Sequence, residues 1–260
     1  MVASFYPLAF AVESVARGRA SVIDLTPAGV EPHDIELTSG QVIAVSEADL
    51  LVYVGSGFQP AVEELAAGMG DRAVDVLASQ GPGTGPSSDQ AADPHVWLDP
   101  IRMNAIAQLV ADRLATIDSA ASAAYRAHRD EFGARLQALD REFRRGLERC
   151  AQREIVTSHE AFGHLARRYG LRQFGIAGVD PGLEPSPQRV AKITEFARKH
   201  HITTIFFEEL VSPRIAETIA AESGIRTDVL NPIESRPRRG DYLDAMRANL
   251  GSLRAALRCR

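Results

Sequence analysis

The sequence predicts an α/β fold: two domains, each with a small parallel sheet flanked by helices, joined by one long rigid helix. Three observations predict it. Short apolar runs alternate with helical patterns over roughly the first hundred residues; the same rhythm resumes at Glu154; and between them a proline-free run from Ser119 to about Arg149 carries apolar residues at helical spacing. At 260 residues the chain is long enough for two cores of ordinary size. The expected organisation is an N-terminal α/β domain over 1-117, a linker helix over 118-150 and a C-terminal α/β domain over 151-260.

In the first half, Val2-Ser4, Ser21-Leu25 and Leu50-Gly55 read as strands, with helices at Leu8-Gly18 and Ser39-Glu47 between them. Strand–helix–strand alternation implies parallel pairing, since each crossover returns the next strand in the same direction. An amphipathic segment follows around Ala61-Ala67. The polar stretch GPGTGPSSDQAAD, from Gly81 to Asp93, then reads as a flexible surface loop. A helix opens at Asp99-Pro100 and runs to about Ala115, because the aspartate can accept first-turn amides and proline fits the first helical position.

Tyr125, Phe132, Leu136, Leu139, Phe143 and Leu147 then recur at roughly helical spacing. A helix of ~30 residues spans ~45 Å and resists bending, which predicts little hinge closure. In the second half, Glu154-Ser158, Arg172-Ile176, Thr203-Phe207 and Arg226-Leu230 read as strands, separated by helices such as Gln188-His200 and Pro213-Ser223.

Composition narrows the function. The chain is 45% hydrophobic and 24% charged, an ordinary globular balance, with no run approaching the ~20 apolar residues of a spanning helix. The N-terminus lacks the zones of a signal peptide, and its abrupt start at MVASFYPLAF is consistent with a targeting segment lost from the chain. A net charge of -5 argues against a nucleic-acid partner, and Arg141, Arg144 and Arg145 read as a solvated helix face. Neither Cys150 nor Cys259 belongs to a CxxC or Cys/His cluster, which excludes a thiolate zinc finger. A bridge between them would pin the chain end to the second half in an oxidising compartment.

Three histidines stand in comparable places: His33 in EPHDIEL, His95 in DPHVWLDP and His159 in IVTSHEAFGH. Any one loop histidine most often serves packing or the surface. These three lie outside helix interiors, each followed by a helix and drawn from both halves, and His159 ends a strand of a parallel sheet, where ligands bind. That placement suits a zinc site in the interdomain cleft. His128, His200 and His201 lack this context and are assigned to the surface. His164 lies five residues beyond His159, a turn of ~140°, so HEAFGH is not the HExxH signature of a metalloprotease.

The chain resembles the metal-specific substrate-binding proteins of ABC transporters typified by the zinc proteins ZnuA and AdcA and by TroA. The resemblance runs through ASFYPL, PHDIELTSGQV, EADLLVYVGSGFQP, DPHVWLDP, VTSHEAFGHLARRYGL, TIFFEELVSPRIAETIAAESG and VLNPIES. It implies that His33, His95 and His159 are metal ligands. Histidine at the third position matches zinc-type members; manganese-type members commonly carry glutamate there. The stretch Gly81-Asp93 lacks the histidines of the insertion found in many zinc-type relatives.

For the fourth ligand, Asp228 lies in a strand and Asn231 is neutral. Glu234, beyond Pro232, is favoured because VLNPIE resembles the AdcA-like stretch whose glutamate binds the metal. The resemblance therefore implies a non-catalytic, extracytoplasmic zinc carrier, in the periplasm or lipid-anchored at the cell surface. It would be a monomer, tethered through a missing N-terminal segment, that hands Zn2+ to an ABC permease and its ATPase. The alternatives are a manganese-binding homologue, a zinc-dependent hydrolase and an adhesin.

Overall fold

The structure, a computed structural model, describes residues 1–80, 93–182, 185–209 and 214–260. Residues 81–92 of the expected Gly81-Asp93 loop and Pro213, the expected first residue of a helix, lie outside the described residues. The chain divides into two compact units, Met1–Ala138 with Ile233–Tyr242, and Leu139–Pro232 with Leu243–Arg260. Among the described residues, no helix is long and apolar enough to cross a membrane.

The first unit is built on four parallel strands, β1 (Val2–Ala3), β2 (Ile23–Asp24), β3 (Leu51–Tyr53) and β4 (Ala73–Asp75), in the order β2-β1-β3-β4. The helices are α1 (Tyr6–Ala16), α2 (Ser39–Ser46), α3 (Pro60–Ala67) and α4 (Pro100–Ile117). Strand order reverses between β1 and β3, the kind of switch point at which open parallel sheets place ligands. Val2, Leu25, Ile35, Val45, Leu51, Val62 and Met69 meet in one core. Asp99 caps α4 as its sequence suggests, its Oδ1 accepting from the Ile101 amide at 2.9 Å and the Arg102 amide at 3.4 Å, with Pro100 next.

The second unit repeats the plan with β5 (Glu154–Thr157), β6 (Arg172–Gly175), β7 (Thr204–Phe207) and β8 (Arg226–Val229), all parallel, in the order β6-β5-β7-β8. Val156, Ile176, Ile193, Ile205 and Ile219 form its core beneath α7 (Pro187–Lys199) and α8 (Arg214–Ser223). α6 (Gly163–Tyr169) follows β5, and α9 (Tyr242–Ala256) closes the chain. Cys150 and Cys259 are joined by a disulfide, and the Arg260 amide donates to the Arg149 carbonyl beside it.

The long run becomes α5 (Ser122–Leu147), entered through a single helical turn at Ser119–Ala121. α5 is not a bare linker. Tyr125, Phe132 and Leu136 are buried in the first unit, and Leu139, Phe143 and Leu147 in the second. Besides its passage through α5, the chain returns to the first unit at Ile233 and leaves it again at Leu243.

Candidate metal centre

His33 sits on a short path from β2 to α2 that is tied at both ends. Thr38 Oγ1 accepts from the Gln41 amide at 3.3 Å and Gln41 Oε1 accepts from the Thr38 amide at 2.8 Å, a reciprocal cap of α2; Gln41 Nε2 also donates to the Leu25 carbonyl at the end of β2, at 2.6 Å. Within the path, Pro32–Asp34 form one tight helical turn, because Pro32 fixes its own backbone angle and Glu31 caps the His33 amide. Fully buried Gln59 donates to the Pro32 carbonyl and to Thr26 Oγ1, both at 3.2 Å, clamping the turn from below. The Phe58 ring meets the His33 ring edge-on, centroids 4.5 Å apart.

His95 immediately precedes a helical turn, Val96–Leu98, that leads into α4. Its ring is fully buried against Trp97, centroids 5.1 Å apart. Asp93 Oδ1 accepts from the His95 amide at 3.1 Å and meets its Nδ1 at 3.0 Å. An acceptor on one ring nitrogen places the proton there and leaves Nε2 as the lone-pair donor.

Glu234 arrives from far along the sequence, on the segment Ile233–Tyr242 that belongs to the first unit. Pro232 disfavours helical backbone at Asn231. Ile233, fully buried, then turns the chain with φ of 61°, a conformation β-branched residues adopt rarely and at a cost of order 1–3 kcal/mol. Ser235 Oγ accepts from the Gly29 amide at 2.8 Å, Arg236 pairs with Glu13 at 2.9 Å, Arg135 pairs with Asp241 at 3.1 Å, and the Tyr242 hydroxyl donates to the Trp97 carbonyl. The segment is thus stitched to the unit along its length. Glu234 Oε1 lies 3.4 Å from His95 Nε2 and 3.8 Å from His33 Nε2, with the carboxylate 1% exposed.

Ligand atoms of His33, His95 and Glu234 all lie within 4.8 Å of one another. Two imidazole nitrogens and a carboxylate oxygen, converging and shielded from water, form a nitrogen- and oxygen-rich donor set suited to zinc. Burial pushes the His95 imidazole toward its neutral form, but hydrogen bonds and charge from Asp93 and Glu234 outweigh it and hold its pKa up at about 9.

His159 belongs to the second unit, just past the carboxyl end of β5, fully buried. Its Nδ1 lies 2.7 Å from Glu208 Oε1, and the same oxygen accepts a short hydrogen bond from Ser158 Oγ. Its carbonyl accepts from Thr157 Oγ1 at 2.6 Å and Gln173 Nε2 at 3.0 Å. Residues 158–162 are not helical and α6 starts at Gly163, so HEAFGH does not lie on one helix. His164 turns instead to Arg167, its Nδ1 3.0 Å from the guanidinium.

Asp228 lies in β8, as expected, and the backbone of Asn231 is held by Asn249, whose Oδ1 accepts the Asn231 amide at 2.9 Å. His200 and His201 are exposed, and His200 stacks on Phe196. His128 is half-buried at the surface: its Nδ1 lies 2.9 Å from the Val15 carbonyl at the end of α1, where a ring donor meets a carbonyl left over by the helix. Gln59, Glu208 and Ile233 escaped the sequence reading, since each acts through a partner distant in sequence or through backbone geometry; Asp93 escaped it although its partner His95 is only two residues on.

The family model for the zinc-uptake complex component A, periplasmic (ZnuA), matches residues 1–256. The high-affinity zinc uptake system protein ZnuA of Bacillus subtilis (strain 168) is 33% identical, over 99% of this chain and 87% of its own length. The zinc-binding lipoprotein AdcA of Streptococcus pneumoniae serotype 4 is 32% identical over 98% of this chain; the chain spans 55% of that longer protein. Among solved structures, the Zn(II)-bound ZnuA-like domain of Streptococcus pneumoniae AdcA matches with a TM-score of 0.83 and 32% identity, over 98% of this chain and 97% of that one. The laminin-binding protein Lbp of Streptococcus pyogenes matches with a TM-score of 0.88 and 29% identity, over 98% of each chain.

Proposed function

Because the chain belongs to the ZnuA family of zinc-uptake components, we propose that it is an extracytoplasmic carrier that captures Zn2+ with high affinity and delivers it to an ABC permease driven by an ATPase. The observation that carries this reading is the carboxylate of Glu234 set against the Nε2 atoms of His33 and His95, all three side chains shielded from water. His159 completes the ligand set in this reading. It shares the chemistry of His95: a buried ring whose Nδ1 faces a carboxylate, leaving Nε2 to bind metal.

Three neutral imidazoles and one carboxylate make a closed tetrahedral shell for zinc and leave no ligand position for an activated water, as a carrier rather than a hydrolase requires. Nor does Ser158 resemble an activated nucleophile, because its hydroxyl is spent on Glu208. Imidazole nitrogens favour zinc over manganese, which prefers oxygen. A monomer held at the membrane by a lipid anchor on an upstream segment fits the same role; the zinc-binding relative AdcA is named a lipoprotein.

The test is titration of metal-free protein with zinc. One site per chain is expected, and alanine at His33, His95 or His159 should weaken it greatly. Glu234→Gln should lower affinity at least ~10-fold, while Asn231→Ala changes it little. Unchanged titration curves in the three histidine variants would sink the site; equal indifference to Glu234→Gln and Asn231→Ala would put water in the fourth position.

A further inference from the structure

Resting on the zinc reading, we propose that Glu208 is a positioning residue for His159: it fixes the ring so that Nδ1 carries the proton and Nε2 is the metal donor. The observations lie wholly in the second unit. Glu208 ends its own path just past β7, beside the carboxyl end of β5, and is 2% exposed. Its Oε1 meets His159 Nδ1 at 2.7 Å and accepts from Ser158 Oγ, so adjacent residues of one loop converge on a single oxygen. A carboxylate accepts and does not donate, so it selects the Nδ1–H form of a neutral ring.

A buried carboxylate is costly to keep unless something offsets it. Among the described residues, Glu208 Oε2 is buried with no hydrogen-bond partner. An acid retained there, with one oxygen unpartnered among the described residues, is explained poorly by stability alone. A ring it holds and polarises for a nearby divalent cation explains it well, because a carboxylate behind an imidazole raises the basicity of the nitrogen that binds metal. Asp93 does the same behind His95 in the first unit, through Oδ1 at 3.0 Å from Nδ1. Both carboxylates stand behind a histidine, neither in front of it.

The deciding measurement is the nitrogen NMR signature of the His159 ring in zinc-free protein, at a pH where that ring is neutral, alongside zinc titration. In the unaltered protein the proton is expected on Nδ1. Glu208→Ala should shift the ring toward the Nε2–H form and weaken zinc binding on the order of 10–100-fold. Glu208→Gln, whose amide oxygen still accepts Nδ1–H, should restore the tautomer and part of the affinity. A ring already protonated on Nε2 in the unaltered protein overturns the proposal, as does a folded alanine variant that keeps both tautomer and affinity. Should the alanine variant not fold, the unaltered tautomer decides alone. Failure of the unaltered protein to bind zinc refutes the carrier reading instead, and the tautomer is read without zinc.

Discussion

His95 is pulled in two directions by its surroundings, and the balance has a pH signature. Burial disfavours its charge, yet Asp93 and Glu234 raise its pKa from 6.5 to about 9. A folded-state value above the unfolded one stabilises the metal-free protein; that contribution is complete below about pH 6.5 and lost as pH rises through about 9. Zinc must displace the same proton, so its affinity should climb across this window, rather than level off near the ordinary imidazole value of about 6.5. Calorimetry at neutral pH in buffers of differing ionisation heat should register a proton released per zinc bound. Asp93→Asn should move the window down, because it removes one of the two charges that raise the pKa. A pH-independent affinity between pH 7 and 9 would contradict the assignment.

Elements were legible wherever packing and capping leave a local trace. Asp99-Pro100 announced α4, and the stripe from Tyr125 to Leu147 announced α5, since each residue of that stripe is buried. Asp99→Ala should lower stability by about 1 kcal/mol in urea denaturation, the usual worth of such a cap. β4 went unseen because it is three residues with one buried apolar side chain, Val74, and owes its existence to pairing with β3. The histidine positions were readable from loop and strand context. Glu208 behind His159 and the turn at Ile233 were not, being fixed by a contact 49 residues apart in one case and by a backbone angle in the other.

The disulfide was foreseen from two isolated cysteines and is present. It closes a loop over a sequence separation of 109 residues, and replacing both cysteines by serine should cost up to ~4–5 kcal/mol in the chain-entropy model. Backbone bonds from Arg260 to Arg149 and from Ala151 to Leu257 would remain. Thermal unfolding with and without reductant measures the loss; identical curves would show the bridge contributes nothing.

At the scale of the whole molecule, zinc is a folding ligand as well as cargo. Binding to the native state alone should stabilise by ~2.7 kcal/mol at a free concentration 100 times the dissociation constant, visible as a concentration-dependent rise in melting temperature that a chelator reverses. The path of the chain adds a consequence in time. The first unit takes its last piece, Ile233–Tyr242, and with it Glu234, from far downstream of Ala138, where its first stretch ends. A nascent chain emerging from the ribosome therefore holds His33 and His95 long before the carboxylate that stands between them exists. A fragment ending at Ala138 should bind zinc far more weakly than the full chain. Synthesis order thus withholds the full donor set of the first unit until the segment carrying Glu234 has been made.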